Sequence, residues 1–458
     1  MKKVLFVGIN ARYTHTALSI RCLCNAAQQV NKVDTHQIIE FQINDPVLHI
    51  VNSIVLQKPD IILFSVYIWN RNIIEQLLPD VHALLTEAKI ILGGPEVYGA
   101  EIELRSKFPF VAACVSGYGE TVIKTWAGAQ WKSIEYNSEL FPEWDPADFI
   151  NAGSVYTVEE KDMLANRYLY YESSRGCPFN CAYCLSSNSK QHFVEKPISI
   201  VKKDIEDLMK FNPMLIKFVD RSFNAHQDRA HNIWEYLAKT YYDKNVRFHF
   251  EIMPSLLTEK DVAFLESLPQ HLFQFEAGIQ TIHSSTRKLI HRAGVWENEQ
   301  AMLKLLLQKV SIPIHIDMIV GLPGETNNDI AATFDALMDL GADHVQVGFL
   351  KVLPGTEIFE KKEQYGIVAM HSAPYEIYKT SSLSLQEKVR WKQVTLLVES
   401  IANNAIAPDI MQQARLHYGS WTGVYDTLLD YMLQENFDIR TKNRERLIPL
   451  ITSWWNFR

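Results

Sequence analysis

Short apolar runs of strand length recur through the first quarter of the chain, at Val4–Val7, Ile38–Phe41, Ile61–Val66, Ile90–Leu92 and Val111–Val115. Segments of helical period lie between them, Ile73–Leu85 among them. Five strands joined by helical crossovers predict an α/β domain over residues 1–128, an open, doubly wound parallel sheet. Such sheets bind ligands outside the carboxyl ends of their strands. The suggestive residues sit there: Gly8-Ile-Asn-Ala-Arg-Tyr-Thr-His15 after the first run, Ser65-Val-Tyr-Ile-Trp-Asn70 after the third, Gly93-Gly-Pro-Glu96 after the fourth and Ser116-Gly-Tyr-Gly-Glu120 after the fifth.

A second β/α series starts at residue 166 and runs to 360. Its strands are expected at Tyr168–Ser173, Leu215–Val219, Val246–Ile252, Leu272–Phe275, Ile312–Val320 and His344–Leu350, with helices at Ile198–Met209, Thr258–Ser267 and Asn298–Val310. Residues 129–165 read as a linker, irregular over Ser133–Asp148, with Phe141-Pro-Glu-Trp-Asp145 packing between domains. Residues 361–458 are expected to be mainly helical, with Leu383–Asn404 and Thr422–Gln434 the clearest patterns.

Composition narrows the class. Hydrophobic residues make up 47% and charged residues 21% of 458 positions, ordinary for a folded protein of roughly two to four domains. A net charge of −8 without a basic tail or dense Lys/Arg run argues against a general electrostatic grip on nucleic acid. No stretch has the length and apolarity of a membrane span, and the apolar run at the N-terminus is too short for a signal peptide. A cytoplasmic location is expected. Three of six cysteines, Cys22, Cys24 and Cys114, read as free thiols.

The other three form Cys177-Pro-Phe-Asn-Cys181-Ala-Tyr-Cys184, a C-x₃-C-x₂-C spacing on one short loop. Three thiolates this close can bind three irons of a 4Fe–4S cube and leave the fourth open to a cofactor or substrate. A structural zinc site would favour a second cysteine pair, and none follows. The motif, with Tyr183 before its last cysteine, resembles that of the radical S-adenosylmethionine (SAM) enzymes. The resemblance implies that the second series curls into a partial (β/α)₆ barrel.

Phe218-Val-Asp220, Phe275-Glu276-Ala-Gly278-Ile279-Gln280, Ile316-Asp317-Met-Ile-Val-Gly321 and Val352-Leu-Pro354-Gly355-Thr356 are similar to further segments of that family. The resemblance implies SAM contacts from Tyr183, Asp220, Glu251, Gln280, Arg292, Ile319 and Gly321, with Arg292 taking the carboxylate and Arg287 as second candidate.

The four strand-end segments of the first domain resemble the cobalamin-binding domain that precedes the radical domain in cobalamin-dependent radical SAM enzymes. That likeness implies cobalamin contacts from Arg12, Tyr13, Ser65, Tyr67, Trp69, Asn70, Gly93, Gly94, Pro95, Glu96, Gly117 and Glu120. The chain lacks Asp-x-His-x-x-Gly, whose histidine ligates cobalt in many other cobalamin proteins; His15 is the runner-up ligand, and it is expected rather to bond locally or sit by solvent. The implied cofactors are a 4Fe–4S cluster, SAM and cobalamin, and the implied reaction is methylation of an unactivated carbon. A cobalamin-binding radical enzyme that cyclises or rearranges its substrate, or a methylthiotransferase, are the alternatives. The substrate stays open among small molecules, lipids and peptides, with a flavodoxin or ferredoxin as electron donor.

Overall fold

The computed structural model describes residues 1–132, 134, 141–187 and 193–457. Residues 133 and 135–140, part of the stretch expected to be irregular, lie outside the described residues.

Five parallel strands, β1 (Lys3–Asn10), β2 (Thr35–Gln42), β3 (Ile61–Ser65), β4 (Lys89–Gly93) and β5 (Val111–Val115), form a sheet in the order β2-β1-β3-β4-β5. Alternation along β1 sends Val4 and Phe6 into one core with Cys24 and Trp126, and Leu5 and Val7 into another with Ile50 and Leu77. Helices therefore cover both faces: Leu18–Val30 and Glu120–Gly128 on one, Val47–Val55 and Arg71–Leu84 on the other. The strand order reverses between β1 and β3, which opens a crevice at their carboxyl ends.

The second sheet is parallel and wound consecutively. Its strands are β6 (Leu169–Tyr171), β9 (Leu215–Phe218), β10 (Arg247–Ile252), β11 (Phe273–Gln280), β12 (Ile314–Val320) and β13 (His344–Phe349), in the order β13-β12-β11-β10-β9-β6. A small antiparallel pair, β7 (Ser174–Arg175) with β8 (Val194–Glu195), flanks the cysteine loop. Winding in one direction leaves one face for helices and curls the other into a lumen. Phe248, Phe250, Phe273, Phe275, Ile314 and Ile316 fill the helix-facing core. Lys217, His249, Glu276 and Asp317 occupy the alternate positions.

Strand β11 runs five residues beyond the expected Phe275. Glu276-Ala-Gly-Ile-Gln280 keeps a strict buried and half-buried alternation, a period-2 signal masked by its polar lumen residues.

The C-terminal region opens with a two-stranded hairpin, β14 (Val368–Ala369) and β15 (Ile377–Lys379), bridged to the end of β13 through Lys351 and Glu376. Four helices follow, Leu385–Ser400, Pro408–Tyr418, Trp421–Gln434 and Arg444–Phe457. The first starts with a capping box in which Ser384 and Glu387 satisfy each other's backbone N–H groups. Among the described residues no helix is long and apolar enough to cross a membrane.

Candidate active site

The carboxyl ends of both sheets face one cavity of about 860 Å³. That lies toward the upper end of the range for small-molecule pockets. Its walls come from the loops after β1, β3, β4 and β5 on one side, and from the cysteine loop and the ends of β9, β12 and β13 on the other.

Glycines shape the first wall. Gly94 has φ +106°, and a Cβ there would stand 2.6 Å from the Val66 carbonyl oxygen, so only glycine lets the two strand-end loops touch. Gly117 has φ +81°, yet a Cβ there would meet nothing within 4 Å, so the space over it is open to a ligand. Tyr67 and Trp69 stack with centroids 4.3 Å apart and planes 7° from parallel, making a flat aromatic shelf on the cavity wall. The Trp69 indole N–H donates to the Ile9 carbonyl at 3.0 Å and holds that shelf.

Asn70 braces the same loop. Its amide donates to the carbonyls of Ile9 and Ser65 and accepts from the Tyr67 N–H. Ser65, Tyr67, Trp69 and Asn70 all line the cavity. Ser65 Oγ is 2.7 Å from Ser19 Oγ.

Gly93, Pro95 and Glu120 also line the cavity, whereas Arg12, Tyr13 and Glu96 do not. Tyr13 is exposed under the Arg167 guanidinium, because the β1 loop turns outward before returning at His15. Glu96 is buried and accepts a hydrogen bond from the Tyr375 hydroxyl at 2.8 Å. His15 does line the cavity, but its Nδ1 is hydrogen-bonded to the Tyr170 hydroxyl across the domain boundary.

On the opposite wall, Cys181 is buried and Cys177 and Cys184 are half-buried, all three as free thiols on the loop after β7. Burial pushes the Cys177 thiol up, and the nearby Cys184 and Cys181 push it further. The loop is pinned on both sides. The Ala182 N–H donates to the Ile290 carbonyl and the Ile358 N–H to the Ala182 carbonyl. The spacing of the three thiols along this loop is that of the donor set a 4Fe–4S cluster takes, although among the described residues no three metal-binding side chains stand grouped about one point.

Of the expected SAM contacts, Tyr183 and Ile319 line the cavity. Asp220 does not. Its carboxylate accepts from the Ser173 N–H and from the hydroxyls of Ser173 and Ser174, so it fixes the strand that leads into the cysteine loop. Arg292 donates to the Gly278 carbonyl and lies beside Cys181. Arg287 is locked to the fully buried Glu299 at 2.9 Å. Gly321 lies under Ile377, and Gln280, at φ +70°, sits at a bulge between β11 and β12. Glu251 lies just below the cavity. Burial pushes its carboxyl up to about 7, opposed by Arg221, whose Nη1 is 3.8 Å away. Beneath it, Asp317 is pushed up to about 8 by burial and by neighbouring Glu276, which His249, with its Nε2 3.1 Å away, holds low.

Two arginines that motif reading passed over carry much of the site. Arg221, next to Asp220, faces the cavity with Cys184 within electrostatic reach. Arg175, two residues before Cys177, ties the domains together: it is 2.8 Å from Glu120 and 2.7 Å from Glu172. The rings of Tyr118 and Phe149 lie 4.7 and 4.5 Å from its guanidinium carbon, with Trp144 packed beside them. A second buried network, Arg21 with Glu40 and Glu160, clamps the other side of the boundary. The only sequence signal for Arg175 was its place directly ahead of the cysteine motif.

A doubly wound domain thus faces the open mouth of a half-barrel that carries a three-thiol loop. The chain carries a B12 binding domain over residues 4–126 and a radical SAM superfamily domain over 171–337, while residues 363–457 match a family described only as a protein of unknown function, DUF4080. It is 22% identical over 413 residues to the cobalamin-dependent radical SAM methyltransferase TokK of Streptomyces tokunonensis, covering 80% of this chain and 58% of that protein. The chain spans about half to three fifths of the length of the curated relatives it matches first. Its fold is that of OxsB, a cobalamin-dependent SAM radical enzyme solved with aqua-cobalamin and SAM bound (TM-score 0.71, 13% identity, 99% of this chain and 79% of that one). It is also that of the methyltransferase TsrM of Kitasatospora setae, solved with cobalamin and a 4Fe–4S cluster (TM-score 0.66, 16% identity, 81% of each chain). The two domains imply cobalamin, SAM and a 4Fe–4S cluster as cofactors. The open space over Gly117, the aromatic shelf and the three-thiol donor set fit them.

Proposed function

We propose that the protein is a cobalamin-dependent radical SAM methyltransferase that methylates an unactivated carbon of a small-molecule substrate. The observation that carries this reading is the single cavity shared by the Gly93–Gly94–Gly117 wall and the cysteine loop. When bound there, the cluster and SAM supply radical initiation and the cobalamin supplies the methyl group.

The chain's own residues bind, orient and exclude water. Cys177, Cys181 and Cys184 would hold the cluster, which would supply the electron that cleaves SAM. For the SAM carboxylate the candidates are Arg221, which faces the cavity, and Arg292, whose Nη2 donates to the Gly278 carbonyl while its buried Nε has no protein partner. Glu251, protonated below about pH 7, can donate a hydrogen bond from its carboxyl to a ribose hydroxyl. The Arg175 and Arg21 networks hold the domains together and keep solvent from the space between them. An iron–sulfur or flavin protein of the cytoplasm would deliver the electrons.

A methylthiotransferase would need a second cluster. Cys24 and Cys114 lie in separate cores on opposite faces of the first sheet, so they and Cys22 form no second thiol site. The test is transfer of a deuterated methyl from SAM, followed by mass spectrometry alongside 5′-deoxyadenosine release. Methylated product with 5′-deoxyadenosine supports the reading. Sustained 5′-deoxyadenosine release and a modified substrate without label would refute methyl transfer.

A further inference from the structure

The loop after β4 gives the cavity wall its glycines, yet it is held from the far end of the chain. Gly93, Gly94 and Pro95 line the cavity, and so does Tyr98. Two glycines and a proline bring no hydrogen-bonding side chain to the loop. Its own domain holds it by backbone bonds to Val66 and by the Arg71 guanidinium, which donates to the Glu96 carbonyl at 3.0 Å.

The C-terminal half reaches the same loop twice. A Cβ at Gly355 would stand 2.5 Å from Tyr98 Cε1, so the Tyr98 ring rests on backbone that only glycine leaves bare. In the turn of the β14–β15 hairpin, the Tyr375 hydroxyl donates to Glu96 Oε2 at 2.8 Å. Both side chains are buried, and burial pushes the Glu96 carboxyl up while the Tyr375 hydroxyl opposes that rise. The same turn touches the loop after β3. Asn72, two positions past cavity-lining Asn70, donates to the Ala373 carbonyl at 3.2 Å.

Tyr375 adopts a backbone conformation that a bulky residue avoids, with φ +54°. The turn keeps it there: its carbonyl accepts from the Val352 N–H and its N–H donates to the Ser372 carbonyl, both at 2.9 Å. Such strain persists only where the surroundings over-determine it, and it gathers at functional sites. Here it aims a hydroxyl at Glu96. The hairpin in turn is anchored on the radical half. Glu376 pairs with Lys388 and Lys392 at 2.6 and 2.9 Å, and Ile377 sits over Gly321 at the end of β12.

We propose that Tyr375 is a positioning residue for cobalamin: through Glu96, 279 positions away, it fixes the Gly93–Pro95 wall, and residues 363–457 thereby complete the cofactor site of the first domain. Neither Tyr375 nor Glu96 lines the cavity, so the effect on the cofactor is indirect. The proposal rests on cobalamin binding in the shared cavity and not on methyl transfer.

The full chain, purified without oxygen and with its cluster rebuilt, is titrated with hydroxocobalamin by absorbance. The set is wild type, Tyr375→Phe, Glu96→Gln, the double variant and Ser384→Ala. Tyr375→Phe should weaken cobalamin binding roughly 5- to 30-fold, because it leaves the Glu96 carboxylate buried without its donor. The double variant should recover part of that loss, since its amide carries no charge. Ser384→Ala removes the cap of the helix that holds Glu376. It should lower the melting temperature and leave cobalamin affinity at the wild-type value, which separates positioning from general loosening.

Equal affinity in wild type and Tyr375→Phe overturns the proposal, because the hydrogen bond is then structural only. Equal weakening in Ser384→Ala overturns it as well, and losses that simply add in the double variant overturn the path through Glu96. Wild type that binds no cobalamin fails differently: it overturns the cofactor reading on which the proposal stands.

Discussion

Replacing Arg175 with methionine removes the cation that joins the two domains at the cavity wall. In the intact protein its guanidinium contacts Glu120 across the boundary at 2.8 Å and Glu172 at 2.7 Å, and it is 6% exposed. Methionine keeps the apolar stem against Tyr118 and Phe149 but leaves two carboxylates facing each other with no counter-ion. Breaking a buried pair from one side costs about 3–5 kcal/mol. The Glu172 side chain is 22% exposed, so the lower end, about 3 kcal/mol, applies.

At about 2.1 cal/mol/K of unfolding entropy per residue, 458 residues give about 1 kcal/mol per kelvin. The melting temperature should then fall by about 3 °C, measurable by scanning calorimetry. Adding Glu120→Gln should recover part of the loss, since one uncompensated charge disappears. A fall below 1 °C, or losses that simply add in the double variant, would refute the clamp.

Other outcomes follow from the same geometry. Alanine at Cys177, Cys181 or Cys184 should reduce iron from about four per chain to near zero after reconstitution; retention of a full cluster in any of the three contradicts the donor set. Gly117→Val places a side chain in the open space over the first wall. It should lower cobalamin retention at least about tenfold, at a stability cost of about 1–2 kcal/mol from its positive φ, and unchanged retention would remove that wall from the cofactor site. Glu325 is 1% exposed, its Oε1 has no hydrogen-bond partner, and burial pushes its carboxyl up to about 7 from 4.5. The folded state thus holds the proton more tightly than the unfolded state. Wild-type stability is fully present below pH 4.5 and falls by about 3 kcal/mol as pH rises through about 7. Glu325→Gln should therefore gain stability over the wild type from pH 5 to pH 8, and parallel pH profiles would show that Glu325 is not held protonated.

The strands were legible because each of the two sheets is buried against helices, and burial writes apolar runs into the chain. Ile61–Ser65 and Val111–Val115 end within a residue of expectation. The end of β11 was not, because polar residues facing a barrel lumen interrupt the run without breaking the strand. The cysteines were legible because their spacing is itself the chemistry.

Charged residues were less so. Asp220 stood where a SAM contact was expected, yet three hydrogen bonds from Ser173 and Ser174 consume it. Its neighbour Arg221 faces the cavity. Which member of such a pair turns inward depends on strand pleat and on partners dozens of residues away, and neither is written locally. Arg175 and Glu120, 55 positions apart, meet only once the domains dock.

The most direct test of the account is the cobalamin content of the folded protein. Purified without oxygen, reconstituted with iron and sulfide, incubated with hydroxocobalamin and desalted, it should retain close to one cobalamin per chain by absorbance. A folded protein with an intact cluster that retains none would contradict the shared cavity as the meeting place of the two cofactors.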